Sequence, residues 1–118
     1  MRVSDEVPPV SGVEREAGVT IVRLAGELDL YNAHLVREAL LAACAEKPER
    51  LVVDLADVTF LDSTALGVLV EAHTSFDNER AFLLAEPGLE SRRALEVSGL
   101  DRHFVVLASL DEALAAEL

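Results

Sequence analysis

The chain has 118 residues, of which 51% are hydrophobic and 4% aromatic, and its 22 acidic and 10 basic side chains give a net charge of −12. This length fits one domain with a single core, built mostly from leucine, valine and alanine. The acidic surplus excludes nucleic acid as a partner, because binding to phosphates depends on basic patches. It equally disfavours anionic membrane surfaces, while it permits a basic protein partner and speeds association with one.

The sequence also bears on cellular compartment. No apolar run approaches the ~20 residues of a membrane span, and the polar N-terminus lacks the apolar centre of a signal peptide. The one cysteine, Cys44, excludes an internal disulfide and fits a reducing environment. It lies in an Ala/Leu-rich helical stretch, where a free cysteine serves packing. We therefore expect a cytoplasmic protein with no membrane association.

The first half of the chain alternates strand and helix patterns. Residues 1–9, which include two prolines, are predicted to form a flexible arm, and residues 10–118 the folded domain. Apolar spacing of three and four residues predicts a helix from Asn32, its expected N-cap, to Glu46. Three strands are predicted in this half. Val10–Glu16 is an edge strand, Val19–Ala25 is the second strand, and Leu51–Leu55 is a central parallel strand.

The second half continues the same alternation. Its predicted strands are Ala81–Ala85 and Phe104–Leu107. Its predicted helices are Thr64–Ser75, Leu89–Val97 and Leu110–Leu118, the last capped by Ser109. The hydroxyl residues Thr74, Ser91 and Ser98 are expected to face solvent or cap helices. This β-α order predicts an α/β fold, with a mixed sheet of four to five strands and about four helices packed on it.

Enzyme sites are not indicated by the sequence. Ser63 lies in no nucleophile elbow, and His73 follows it by ten residues on the same predicted helix, about 15 Å away. No glycine-rich phosphate loop and no Cys/His metal spacing is present. Asp54, Asp57 and Asp62 are weak Mg²⁺ candidates, because the first is expected to end a strand and the second is typical of a loop. We therefore predict no enzyme activity, no cofactor and no bound metal.

Two adjacent hydroxyl residues stand where the third predicted strand leads into the second predicted helix. Ser63 and Thr64 follow Asp62 at this junction. A serine at a helix start is ordinarily an N-cap, which contributes ~1 kcal/mol. A serine at an exposed helix start with no catalytic partners is also suited to be a phosphorylation site. The residues alone leave both interpretations open.

Three segments carry a resemblance to a known family: Gly26–Asp29, residues 53–67 with the run Leu61-Asp62-Ser63-Thr64-Ala65-Leu66-Gly67, and Ser98–Leu100. Over roughly residues 10–117 the chain resembles the STAS family and, within it, the bacterial anti-sigma factor antagonists. The resemblance implies a single small sheet with helices on one side.

The same resemblance implies a function by partner switching. The unmodified protein would bind an anti-sigma factor that is also a serine kinase, and so release a sigma factor. The kinase would phosphorylate Ser63, with Thr64 as the second candidate, and a serine phosphatase would reset the site. ATP and Mg²⁺ belong to the kinase, and the free chain is expected to be a monomer. The residues implied to contact the partner are Asp29, Asp62, Ser63, Thr64, Leu66 and Gly67. Two of them have an alternative interpretation, Asp29 as a turn residue at the end of a strand and Gly67 as a site of close helix packing.

The sequence departs from the family pattern at three places. Ala65 stands where many members have glycine, and Asp77–Arg80 replaces a loop that usually has a glycine pair. Tyr31 lies near the start of the first helix, where a small hydroxyl residue is more usual. The competing hypothesis is a non-switching STAS scaffold, or a regulatory subunit of a larger complex.

Overall fold

The computed structural model describes residues 7–118, and within them five strands form one mixed sheet. The strands are β1 Val10–Glu16, β2 Val19–Leu28, β3 Arg50–Leu61, β4 Phe82–Ala85 and β5 Val105–Leu107. They lie side by side in the order β1-β2-β3-β4-β5. β1 runs antiparallel to β2, and every other neighbouring pair is parallel. The predicted α/β class and the mixed sheet are confirmed.

Four helices connect or follow these strands. They are α1 Ala33–Ala45, α2 Ser63–Ser75, α3 Leu89–Ser98 and α4 Leu110–Ala115, and single 3₁₀ turns cover Glu79–Ala81 and Leu100–Arg102. The closing helix is shorter than predicted, because it ends at Ala115 instead of Leu118. None of the helices within residues 7–118 combines the length and the apolarity needed to span a bilayer.

The hydrophobic core lies on both faces of the sheet, because side chains of the central strand alternate. Leu51, Val53 and Leu55 of β3 join the large cluster that includes residues of α1, α2 and α3. Val52 points to the opposite face, where it joins Ala113 of α4 in a smaller cluster. The expectation that helices cover one side is therefore wrong, since α4 packs on the other face.

The two longest strands extend well beyond their predicted ends. β2 continues to Leu28 and β3 to Leu61, and these two residues are paired in the parallel ladder. Irregular register between Arg23 and Ala25, and between Gly26 and Glu27, interrupts the apolar alternation that the sequence pattern depends on. The extension places the loop after β2 directly beside the start of α2.

Asp54 shows why the end of β3 was misplaced. It does not terminate the strand as expected, but lies buried within it and pairs with Arg23 on β2 at 2.6 Å. Its second carboxylate oxygen accepts a hydrogen bond from the Ala56 backbone N–H. A buried carboxylate is tolerated in a strand when its charge is paired and its oxygens are bonded. Asp57 likewise lies in β3 and not in a loop.

Three further expectations concern two side chains and the N-terminal arm. Cys44 is buried and its thiol contacts the Ala72 carbonyl oxygen, while burial raises the thiol pKa, as a packing role requires. Ser91 does not face solvent, because it is completely buried in α3. Within the predicted arm, residues 1–6 lie outside the described part of the chain, whereas the Pro9 carbonyl accepts a hydrogen bond from Ala25.

Candidate functional site

The candidate site is built by the parallel pairing of the ends of β2 and β3. Leu28 is paired with Leu61, and the Asp62 backbone N–H donates to the Leu28 carbonyl oxygen at 3.1 Å. This pairing brings the β2–α1 loop, residues 29–32, against the first turn of α2. Residues separated by more than thirty positions in the sequence thereby form one surface.

Asp62 holds the two parts of this surface together. It is the N-cap of α2, and one carboxylate oxygen accepts from the Ala65 backbone N–H at 2.9 Å. The other oxygen accepts from the Leu30 backbone N–H at 3.0 Å. Both carboxylate oxygens thus accept hydrogen bonds from the main chain. Asp62, which was predicted to contact the partner, therefore positions the β2–α1 loop against α2.

Ser63 and Thr64 are the first two residues of α2, and both are exposed. Since Asp62 is the cap, the ordinary interpretation of Ser63 as an N-cap is wrong. Within residues 7–118 neither hydroxyl takes part in a hydrogen bond that would occupy it. The helix N-terminus beneath them favours a nearby anion through its unpaired N–H groups and its dipole.

Asp29 is half-buried and bonded within its own loop. One of its carboxylate oxygens accepts from the backbone N–H groups of Tyr31 and Asn32, at 3.0 and 3.3 Å. Asn32 in turn accepts from the Asp29 backbone N–H and donates to the Glu27 carbonyl oxygen. Asn32 is the N-cap residue of α1, as predicted, but its side chain makes no capping bond and braces the loop instead.

The other two predicted contact residues, Leu66 and Gly67, differ in their surroundings. Leu66 is 8% exposed and belongs to the large core cluster, so the structure does not bring it to the surface. Gly67 is exposed one turn into α2, and apart from its chain neighbours and the nearby backbone of α2 no atom lies within 4 Å of the point where a Cβ would be. Packing within the fold therefore does not require glycine there. The departure at Ala65 is also accommodated, because its methyl group is buried in the core.

Exposed apolar side chains lie in the loop that is bonded to Asp62 and just before Asp62 in β3. We call Leu30, Tyr31 and Phe60 the apolar rim; Leu30 is 65% and Tyr31 84% exposed, and Phe60 is about half exposed. Sequence reasoning did not assign Leu30 or Phe60 to the site. The alternation of buried and exposed side chains at the strand ends could have identified them, but it is recognised only when the full lengths of β2 and β3 are known. Apolar side chains gathered on one surface are typical of a protein-binding site.

Within residues 7–118 the titratable groups neither form a metal site nor place a histidine beside Ser63. Among residues 7–118 no three His, Cys, Asp or Glu side chains are grouped so that they could hold a metal ion. His73 lies at the opposite end of α2 from Ser63, buried among Phe82, His103 and Phe104. Burial is the main cause that lowers the pKa of His73, and the nearby His103 lowers it further.

Comparison with known proteins assigns the family. Residues 12–113 match the family described as STAS domain. The anti-sigma-F factor antagonist RsfB of Mycobacterium tuberculosis is 33% identical over 97 residues, 82% of this chain and 80% of that protein. The anti-sigma-B factor antagonist of Listeria monocytogenes is 37% identical over 89 residues, 74% of this chain and 77% of that protein. An anti-sigma factor antagonist from Mycobacterium paratuberculosis has a crystal structure that matches with a TM-score of 0.82 and 35% identity, over 87% of this chain and 88% of that one. The chain therefore belongs to the STAS domain family.

Proposed function

We propose that this chain is an anti-sigma factor antagonist that acts by partner switching. The observation that carries the proposal is the exposed Ser63 hydroxyl at the first position of α2, which makes no hydrogen bond to residues 7–118 and lies beside the loop held by Asp62. The names of the relatives, which are anti-sigma factor antagonists, support the same function. The chain acts in the cytoplasm as a binding protein and not as an enzyme.

In the proposed cycle the unmodified chain binds an anti-sigma factor that is also a serine kinase. This binding releases a sigma factor. The kinase transfers a phosphate to Ser63, with Thr64 as the second candidate, and the modified chain dissociates. A serine phosphatase removes the phosphate and resets the switch.

The fold is suited to carry a phosphate at Ser63 without unfolding. Phosphorylation adds about two negative charges at pH 7. The helix N-terminus and its dipole attract an anion, so the added group is favourable to α2 itself. Asp62 keeps its own two backbone partners, at Ala65 and Leu30, because the Ser63 hydroxyl shares neither of them.

The partner interface does not tolerate the same group. Neither the β2–α1 loop nor the segment from Phe60 to Gly67 contains lysine or arginine, so this part of the chain offers no cation to pair with the phosphate. A charge desolvated against the apolar rim without a partner costs several kcal/mol. Since 1.4 kcal/mol is a factor of ten in affinity, phosphorylation weakens binding by orders of magnitude.

Mapping the phosphate after incubation with the cognate kinase and ATP tests the proposal. Mass spectrometry is expected to find phosphate on Ser63 in the unaltered chain and in Thr64→Ala, and none on this site in Ser63→Ala. Phosphate on Thr64 alone would move the switch by one residue. With an active kinase, the absence of phosphate from both positions would overturn switching and favour a constitutive binding subunit.

A further inference from the structure

A wide groove lies next to the apolar rim, and the proposed switch at Ser63 does not use it. It runs between the segment Val7–Pro9, the end of β2 and the start of α1, and its volume is about 1210 Å³. We call it the β2–α1 groove and define it by the lining residues Val7, Glu27, Tyr31, Leu35, Asp57 and Thr59. Tyr31 belongs to both the rim and the groove, so the two surfaces are continuous.

The walls of the β2–α1 groove present apolar side chains that the described fold leaves uncovered. Tyr31 is 84% and Val7 57% exposed, and Leu35 is also exposed. Single exposed apolar residues are ordinary, but three on one concave surface are typical of a recognition site. An exposed tyrosine is a strong anchor, because it buries a large rigid area and loses little conformational freedom on binding.

The charged side chains that line the β2–α1 groove are all acidic. Glu27 and Asp57 line it, both are exposed, and neither forms an ion pair with any residue from 7 to 118. No lysine or arginine is among the lining residues. Some carboxylates elsewhere on the surface are paired with arginine, as in Arg15–Glu46 and Arg37–Glu71. Within residues 7–118 the groove therefore carries only negative charge, beside an aromatic ring.

From these observations we infer that the β2–α1 groove binds a segment of the anti-sigma factor in which arginine alternates with apolar side chains. A guanidinium group stacks on the face of Tyr31 while its N–H groups bond Glu27 or Asp57, and the neighbouring apolar side chains cover Val7 and Leu35. The inference rests on the proposed function for the identity of the partner. It adds a contact whose chemistry does not depend on the Ser63 hydroxyl.

This contact acts on recognition and rate. Charge pairs at an interface steer encounter and discriminate between partners, and their effect falls as salt rises. We therefore expect the groove to select the partner and Ser63 to decide whether the complex persists.

The first test is an NMR titration of the ¹⁵N-labelled chain with a capped six-residue peptide of alternating leucine and arginine. We expect saturable amide shifts confined to the groove, including Glu27, Tyr31 and Asp57. Tyr31→Ser is expected to weaken binding about threefold to tenfold, as loss of an aromatic–cation contact does. Asp57→Asn should weaken it at low salt, whereas Asp111→Asn on the exposed part of α4 is the matched control and should change nothing.

The same titration can overturn the inference. It fails if the shifts spread evenly over the acidic surface, if a peptide with glutamate in place of arginine binds equally well, or if Tyr31→Ser binds as the unaltered chain does. Because no anti-sigma factor is present, these results are independent of the proposed switch. A Ser63→Asp variant that retains full affinity for the anti-sigma factor would contradict the switch and leave the titration unaffected.

Discussion

At the scale of single residues, Asp62 caps α2 and Ser63, the next residue, does not. A helix-capping serine has its oxygen committed to a backbone N–H. Here the Asp62 carboxylate makes that bond to Ala65, and it also holds the next loop through Leu30. The Ser63 hydroxyl is not needed for that bond, so under the proposed function it stays available to the kinase, and the Asp-Ser order has a physical reason.

Gly67 gives the residue-scale prediction, because the fold leaves space for a methyl group there. Gly67→Ala should raise the free energy of unfolding by about 0.5–1 kcal/mol, since glycine is unfavourable within a helix. If the partner backbone approaches α2 at this point, the same methyl group should weaken binding about tenfold or more through a steric clash. Urea unfolding and calorimetric titration against the anti-sigma factor measure the two effects.

Thr74→Ala is the matched control for Gly67→Ala. Thr74 is exposed near the other end of α2, so its replacement should improve helix propensity without touching the partner. A Gly67→Ala chain that is stabilised and binds as tightly as the unaltered chain would remove Gly67 from the interface.

At the scale of elements, α3 carries a hydroxyl group that weakens its packing. Ser91 is completely buried in this helix, and its oxygen has no hydrogen-bond partner among the described residues. Burying a hydroxyl group without a partner costs free energy because its bonds to water are lost. The helix is held mainly by Leu95, which is buried in the large core cluster.

Ser91→Ala should therefore stabilise the chain by about 1 kcal/mol, through removal of the unpaired hydroxyl and better helix propensity. Ser98→Ala is the contrasting change in the same helix, because the Ser98 hydroxyl donates to the Ala94 carbonyl oxygen at 2.8 Å. Thermal unfolding of both variants measures the difference. A Ser91→Ala chain that melts below the unaltered protein would contradict this account of α3.

The element order and the mixed sheet were predictable, whereas the ends of the elements that form the site were not. The spacing of apolar residues and the residues that end helices located α1, α2 and α3 to within a few residues. The full lengths of β2 and β3 were missed, because Asp54 and Asp57 resemble turn residues until Arg23 is known to face Asp54 across the ladder. Ser63 was found from its local motif. Leu30 was not, since its nearness to Asp62 depends on the long-range pairing of Leu28 with Leu61.

At the scale of the whole molecule, α2, β4 and the segment that leads into β5 meet at a buried histidine. The His73 ring lies 5.3 Å from Phe82, 4.8 Å from His103 and 5.2 Å from Phe104, measured between ring centroids. Burial is the main cause that lowers its pKa and the His103 charge adds to it, while Glu79 opposes the shift. Protonation of His73 therefore places an unfavourable charge between these elements.

A pH dependence of stability follows from that lowered pKa. The folded state binds the His73 proton more weakly than the unfolded state, whose pKa is about 6.5. The contribution of neutral His73 to stability is therefore complete above pH 6.5 and is lost as the pH falls through its lower, folded pKa. Chemical unfolding between pH 7 and 5 should show this decline, and His73→Phe should flatten it.

The exposed His103 is the control for this pH profile, because His103→Gln removes the neighbouring charge but leaves His73 buried. Its profile should still decline in the same direction. A His73→Phe chain with the same pH profile as the unaltered protein would locate the proton uptake at another group.

The central claim is that a phosphate on Ser63 changes affinity for the partner and leaves the fold intact. Calorimetric titration of the anti-sigma factor with the unmodified chain, Ser63→Ala and the Ser63-phosphorylated chain tests it most directly, with NMR spectra recorded on each form. We predict binding by the first two and a loss of about 100-fold or more in affinity for the phosphorylated chain, whose spectrum changes only near the start of α2. A phosphorylated chain that is folded and binds as tightly as the unmodified one would contradict the account.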